Sequence, residues 1–342
     1  MVWKESSVMN KHVSACWLTV NRSCNLSCSW CYAKNSNRLN TMSFDNARSV
    51  LDILKEIGIQ TVIILGGEPT CYKELPQLLQ ECRYRNLHSV IITNGIKLAD
   101  EDYLDMLLSC GLNTISISQK AHDAESYKRT TGVDCYKEFL QAIKNLSDRG
   151  VKPLISYVLT CDSIRNILSS ITTVKAYGAT QFSLGFCYDF ESCCGGKGAP
   201  ENPYSLWKRF EENYDAINNA AEGNFVLQMG LPLCVANESL IQYMNEQGQI
   251  KTVCQALRQS GLIIDTDLSV IPCNAMYNIK LGKVNVEFSD KASFEAFWNS
   301  DRIVSFYNRI RSVPDMACTH CDFWTNCGGA VCRTGLIIGF QI

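Results

Sequence analysis

An α/β fold with a parallel sheet is predicted by three observations. Short β-branched runs alternate with longer helix-compatible stretches, glycines follow several of those stretches, and six strand–helix units occur in series. The candidate strands are Ser14 to Val20, Thr61 to Leu65, Ser89 to Thr93, Thr114 to Ser118, Leu154 to Leu159 and Gln181 to Gly185. The helical stretches between them are Phe44 to Ile57, Lys73 to Arg85, Ala99 to Cys110, Cys135 to Arg149 and Ile164 to Tyr177. Leu140, Ile143 and Leu146 recur at the spacing that puts apolar side chains on one helix face. Gly111, Gly150 and Gly178 stand where a left-handed helix cap favours glycine. Such units build an open sheet or a partial barrel, and in both the chemistry collects at the C-terminal strand ends.

The chain has 342 residues, 46% hydrophobic and 19% charged, enough for a large core and a smaller second module. Residues 1–12 form a polar tail and 13–230 carry the βα units. A loop rich in Gly, Cys and Pro (Glu191 to Pro203) and a helix-like stretch (Tyr204 to Glu222) follow strand six. The pattern breaks near Leu231, so 231–342 are expected to form a separate cysteine-dependent module. A net charge of -2 argues against nucleic acid as a main partner. Apolar runs are strand-length, which argues against a membrane span, and the N-terminus lacks the apolar core of an export signal. A cytoplasmic location is expected.

Nineteen cysteines are the anomaly. Disulfide scaffolds are small and secreted, so metal or cluster binding is the better account in a large chain without an export signal. Strand one runs directly into Cys24-Asn-Leu-Ser-Cys28-Ser-Trp-Cys31-Tyr32. One short loop can bring three thiolates together at little closure cost. Iron–sulfur clusters usually take four thiolates, so three leave one iron open. Zinc or reduced bystander thiols are the alternatives. Gly66-Gly67-Glu68-Pro69 ends strand two and Thr93-Asn94-Gly95 ends strand three. Ser116-Ile117-Ser118 ends strand four. Glycines permit close backbone approach, and a carboxylate accepts hydrogen bonds from an ammonium group.

The C-x3-C-x2-C spacing followed by an aromatic resembles the signature of the radical S-adenosylmethionine (SAM) superfamily. The resemblance implies a partial (β/α)6 TIM-like barrel. It also implies a [4Fe–4S] cluster on Cys24, Cys28 and Cys31, whose open iron chelates SAM and whose electron yields a 5'-deoxyadenosyl radical. Tyr32, Gly66, Gly67, Glu68, Asn94, Ser116, Arg129 (or Lys128) and Ser156 are then expected to line the SAM site. Relatives follow the strand-four serine with Asp-Gly, where this chain has Ser118 and Gln119. Cys254, Cys273 and the run Cys318-x2-Cys321-x5-Cys327-x4-Cys332 resemble the family's SPASM/twitch extension, which implies one or two auxiliary [4Fe–4S] clusters. Departures are Leu268 where glycine is usual, a longer spacing before Cys332, and no cysteine after it. Cys234 is a candidate seventh ligand, and a zinc ribbon is the alternative for Cys318 to Cys332. Cys16, Cys71, Cys82, Cys110, Cys135 and Cys161 are expected to be packing or surface residues. Cys187, Cys193 and Cys194 follow strand six and are candidate hydrogen-atom donors.

The resemblance implies modification of a ribosomally made peptide: a crosslink, a thioether or an epimerisation. A small-molecule dehydrogenase is the runner-up. Formylglycine formation in sulfatases is disfavoured because Asn274 stands where those relatives carry an aspartate base. About a dozen residues precede strand one, too few for a leader-binding domain, so a separate leader-binding protein is an expected partner beside the peptide. An external electron donor such as flavodoxin or ferredoxin is also implied. A plain electron-transfer or redox-sensing protein would not need the Gly66-Gly67-Glu68 site, so changing Glu68 is expected to matter only to an enzyme.

Overall fold

Every second residue of the first six strands is buried against helices, and this alternation explains the layered architecture. The computed structural model describes residues 13–186, 203–228, 233–251, 256, 259–311 and 316–321. The strands are β1 (Ala15–Asn21), β2 (Thr61–Gly66), β3 (His88–Thr93), β4 (Thr114–Gln119), β5 (Leu154–Leu159) and β6 (Gln181–Phe186). Cys16, Leu18, Val62, Ile64, Ile91, Ile117, Ile155 and Leu184 all point to the helical side and are fully buried. The alternate residues, among them Trp17, Ile63, Val90, Ser118 and Ser156, are half-buried on the other face of the sheet.

Helices α1 (Phe44–Glu56), α2 (Leu75–Tyr84), α3 (Glu101–Ser109), α4 (Ala124–Thr131), α5 (Tyr136–Asp148) and α6 (Ile167–Ala176) link these strands. Their starts carry side-chain caps: Ser43 accepts from Asn46 N–H, Asp100 from Tyr103 N–H, and Asp123 forms a capping box with Ser126. Gly111, Gly150 and Gly178 do adopt positive φ (101°, 70° and 101°) just past helix ends. Helix α4 was absent from the expected helices because only Ser126, Tyr127 and Thr131 of its eight residues are buried.

Strands β7 (Phe225–Gln228) and β8 (Ile250–Lys251) extend the parallel series beyond six. The remaining strands are β9 (Gly261–Ile264), β10 (Ser269–Val270) and β11 (Gly282–Lys283). The order across the sheet is β11-β10-β9-β1-β2-β3-β4-β5-β6-β7-β8. Strand β9 lies parallel along β1, with Ala15 opposite Gly261 and Leu18 opposite Ile264. It then folds back antiparallel into β10 through a turn in which Leu268 has φ 68°. Leu268 thus occupies the left-handed region that favours glycine, and it is 7% exposed. Among the described residues, no helix is long and apolar enough to cross a membrane.

Candidate active site

The cysteine loop leaves the C-terminal end of β1 and is clamped at several points. Arg22 N–H donates to Asn40 O at 2.8 Å, Ser27 N–H to Thr131 O at 2.8 Å and Ser29 N–H to Thr130 O at 3.0 Å. Turns follow, with Cys31 N–H on Cys28 O and Lys34 N–H on Cys31 O, both 3.1 Å. Cys24 and Cys28 are half-buried against the core, and Leu26 N–H points at Cys24 Sγ (3.4 Å). Burial pushes the Cys24 thiol up to about 11 and raises Cys28 as well, so without metal these two are neutral thiols. Binding iron would displace those protons. Among the described residues, no three His, Cys, Asp or Glu side chains converge as a single metal ion would require. A cluster asks for less convergence, because its cysteines bind different irons. Three soft thiols on one clamped loop fit that group.

The two glycines ending β2 are needed for close packing. A Cβ on Gly66 would lie 2.1 Å from Asn21 Oδ1, and one on Gly67 would lie 2.4 Å from the carbonyl oxygens of Arg22 and Ser23. The close approach is thus to the start of the cysteine loop itself. Glu68 N–H then donates to Ser23 O at 2.8 Å. The Glu68 side chain is 1% exposed and acts as a hub. Its Oε1 accepts from Thr70 N–H (3.1 Å), Thr70 Oγ1 (2.7 Å) and Thr93 Oγ1 (2.5 Å), and its Oε2 from Asn94 N–H (2.7 Å). Asn94 Nδ2 in turn donates to Asn25 Oδ1 at 2.7 Å, which joins the end of β3 to the cysteine loop.

The wall formed by β4 to β6 is lined by hydroxyls. Ser118, Ser156 and Ser183 are register partners on three adjacent strands, and Gln228 Nε2 donates to Ser183 Oγ at 3.1 Å. Ser116 lies one pleat deeper, opposite Leu154, and is buried. Arg129 forms an exposed ion pair with Asp162 (3.1 Å). Sequence reasoning missed Lys120, the residue directly after β4. Its Nζ sits 5.1 Å from the centre of the Trp30 ring within the cysteine loop, and its charge lowers the thiols of Cys24 and Cys28 against the larger effect of burial. A lysine at the C-terminal end of a strand was the signal available.

Tyr32 is 43% exposed as a residue, yet burial of its hydroxyl end raises its pKa. The charge of Arg22 lowers that pKa against the larger effect of burial. Cys273 follows β10 and is half-buried, as are Cys318 and Cys321. Cys234 is exposed. Cys187, Cys193, Cys194, Cys254, Cys327 and Cys332 lie outside the described residues. Cys16, Cys82, Cys110 and Cys135 are buried free thiols, whereas Cys161 differs from expectation in being disulfide-bonded.

Comparison with known proteins gives a consistent fold. SuiB of Streptococcus suis bound to SAM superposes with a TM-score of 0.73 at 20% identity, over 96% of this chain and 74% of that one. The protein anSMEcpe, with bound AdoMet and a peptide, gives 0.70 at 17% identity, over 94% of this chain and 89% of that one. Among curated relatives, a probable GTP 3',8-cyclase of Metallosphaera sedula is 31% identical over 147 residues, 42% of this chain and 46% of its own length. One from Sulfolobus acidocaldarius is 29% identical over 170 residues, 49% of this chain and 54% of its own. The chain therefore spans about half the length of the cyclases it matches. The model of the Radical SAM superfamily matches residues 18–164, a stretch that begins within β1, ends just past β5 and holds the cysteine loop, the two glycines, Glu68 and Asn94. These residues match the Radical SAM superfamily, whose members use a [4Fe–4S] cluster and SAM, and are joined here to a cysteine-rich C-terminal region.

Proposed function

We propose that this radical SAM enzyme abstracts a hydrogen atom from a ribosomally made peptide, leading to a crosslink, a thioether or an epimerised residue. The observation that carries the proposal is the likeness to SuiB bound to its precursor peptide SuiA, with a TM-score of 0.71 over 96% of this chain. That likeness includes the C-terminal third, which the family model does not reach. When bound, the cluster would supply the electron for reductive cleavage of SAM. Cys24, Cys28 and Cys31 hold it. Lys120 offers a cation beside the loop, suited to a carboxylate, and Asn94 and Ser118 with Ser156 offer neutral donors and acceptors. Glu68 braces the strand ends around this site. The Ser183–Gln228 pair continues the polar wall and suits the amide groups of a peptide. Cys254, Cys273, Cys318, Cys321, Cys327 and Cys332 would hold one or two auxiliary clusters, which would accept the surplus electron in crosslink or thioether formation. For an epimerised residue, Cys187, Cys193 or Cys194 would instead return a hydrogen atom to the substrate radical, the external electron donor reducing the thiyl.

A second reading is a small-molecule substrate, favoured by the matches to proteins named GTP 3',8-cyclase. Anaerobic reconstitution with iron counting, then incubation with SAM, dithionite and either GTP or a peptide encoded beside the gene, separates the two. We expect 5'-deoxyadenosine and a modified peptide, seen as a loss of mass for a crosslink or thioether or as deuterium uptake from D2O for an epimerised residue. A cyclised nucleotide product with an unmodified peptide would reject the peptide assignment.

A further inference from the structure

Arg22 stands two residues before Cys24 and is buried together with Asp265, the residue that follows β9. Their side chains are 2% and 7% exposed. Arg22 Nε donates to Asp265 Oδ1 at 3.1 Å. Its Nη2 lies 2.8 Å from the same oxygen but has no aligned hydrogen-bond acceptor, so this buried guanidinium keeps unused donor capacity. The Tyr277 ring lies 5.1 Å from the guanidinium carbon. Lys280 Nζ approaches the other carboxylate oxygen at 3.3 Å. Two cations thus share Asp265, while Lys280 also lies 3.4 Å from the more exposed Asp267. The four groups balance in charge, and within them the Arg22 guanidinium is held in a desolvated position.

A buried ion pair is a poor source of stability, since desolvation offsets most of its attraction. The arrangement makes better sense beside an anion. Arg22 leads directly into the cysteine loop, while Asp265 and Tyr277, which both touch Arg22, flank the segment that carries Cys273, so the ion pair ties the start of that loop to the C-terminal cysteine region. Cluster potentials respond to nearby charge and to hydrogen bonding.

We propose that Arg22, with Asp265 and Lys280, is a positioning and charge-setting group that raises the reduction potential of the cluster held by Cys24, Cys28 and Cys31. The inference rests on the radical SAM assignment of that loop. Removing Arg22's charge disfavours the extra electron, and removing Asp265's charge favours it.

The test is a redox titration of the anaerobically reconstituted full chain, followed by electron paramagnetic resonance. The loop cluster is identified as the signal that changes when SAM is added. Arg22→Gln is expected to lower the midpoint and Asp265→Asn to raise it. Each should change the reduced-to-oxidised ratio at fixed potential by on the order of tenfold, about 59 mV for one electron. Arg22→Lys should stay near wild type. Simple loosening of the loop would move both variants the same way, and that outcome, or no shift in either, overturns the proposal. Should neither variant fold, Lys280→Met decides, because this side chain is 40% exposed and at the rim. A smaller downward shift supports the proposal and an unmoved midpoint overturns it. Wild-type protein without any SAM-sensitive signal defeats the assignment of the loop and this inference with it. A SAM-sensitive signal with unmoved midpoints defeats the inference alone.

Discussion

Glu68→Gln separates a bracing role from a ligand-binding one. The carboxylate takes four hydrogen bonds inside the protein, three on Oε1 and one on Oε2, and is 1% exposed. Glutamine keeps one carbonyl oxygen. If that oxygen replaces Oε1, the new amide nitrogen meets Asn94 N–H, donor against donor. One charge-assisted bond is lost, three are weakened, and a buried N–H loses its acceptor. With charged hydrogen bonds at about 1.5–3 kcal/mol and an unsatisfied buried donor at about 1–3 kcal/mol, the substitution should destabilise the protein by about 3 kcal/mol. In urea, with a slope of about 3 kcal/mol/M, the unfolding midpoint of metal-free protein under argon should fall by about 1 M. A midpoint within about 0.2 M of wild type, together with lost SAM cleavage, would refute the bracing role and leave Glu68 as a cofactor contact only. The expectation that Glu68 matters only to an enzyme is revised accordingly, because an electron carrier with this fold would need the brace too.

Gly67→Ala should displace the cysteine loop, since its Cβ would stand 2.4 Å from two loop carbonyls. Iron content after reconstitution is expected to fall well below wild type, and full loading would show that the loop yields freely. Leu268→Gly removes left-handed strain of about 1–2 kcal/mol but deletes a buried side chain whose loss costs about 2–5 kcal/mol. Net destabilisation of about 1–2 kcal/mol in chemical unfolding is therefore expected, and a gain in stability would show that the strain dominates. The Ser126 hydroxyl and backbone N–H hold the Asp123 carboxyl below its ordinary value of 3.8. Its folded-state pKa is lowered, so its contribution is complete above about pH 3.8 and disappears as pH falls through the lower folded value. Asp123 is 53% exposed, so the effect is screened and modest. Asp123→Asn keeps the cap but should flatten this acid limb in thermal unfolding from pH 5 to 3, and equal slopes would refute the assignment.

Local pattern made most of the barrel legible. Strands β1 to β6 fall within a residue of their expected ends because alternation of large apolar residues marks the buried face. The cysteine loop and the strand-end motifs were legible for a similar reason: each is contiguous in sequence and attached to a readable strand. Pairings between distant segments were not. Arg22 and Asp265 are 243 positions apart, and nothing in either neighbourhood announces the other. The same holds for Asn25 and Asn94, which meet only because the loop after β1 folds over the end of β3. The family resemblance points to Ser116, and sequence spacing does not reveal strand register. Pairing puts Ser118, not Ser116, level with Ser156. Helix α4 escaped notice because few of its side chains are buried, although its Asp123–Ser126 capping box was present in the sequence.

The pairing of β9 along β1 has a consequence for the protein's solubility. With β9 removed, β1 would end the sheet with Cys16, Trp17 and Leu18 beside bare N–H and C=O groups. Such an edge recruits strands from other molecules. A fragment ending before Gly261 would thus self-associate through β1, and its failure as an isolated catalyst would reflect aggregation before it reflected any lost cysteine.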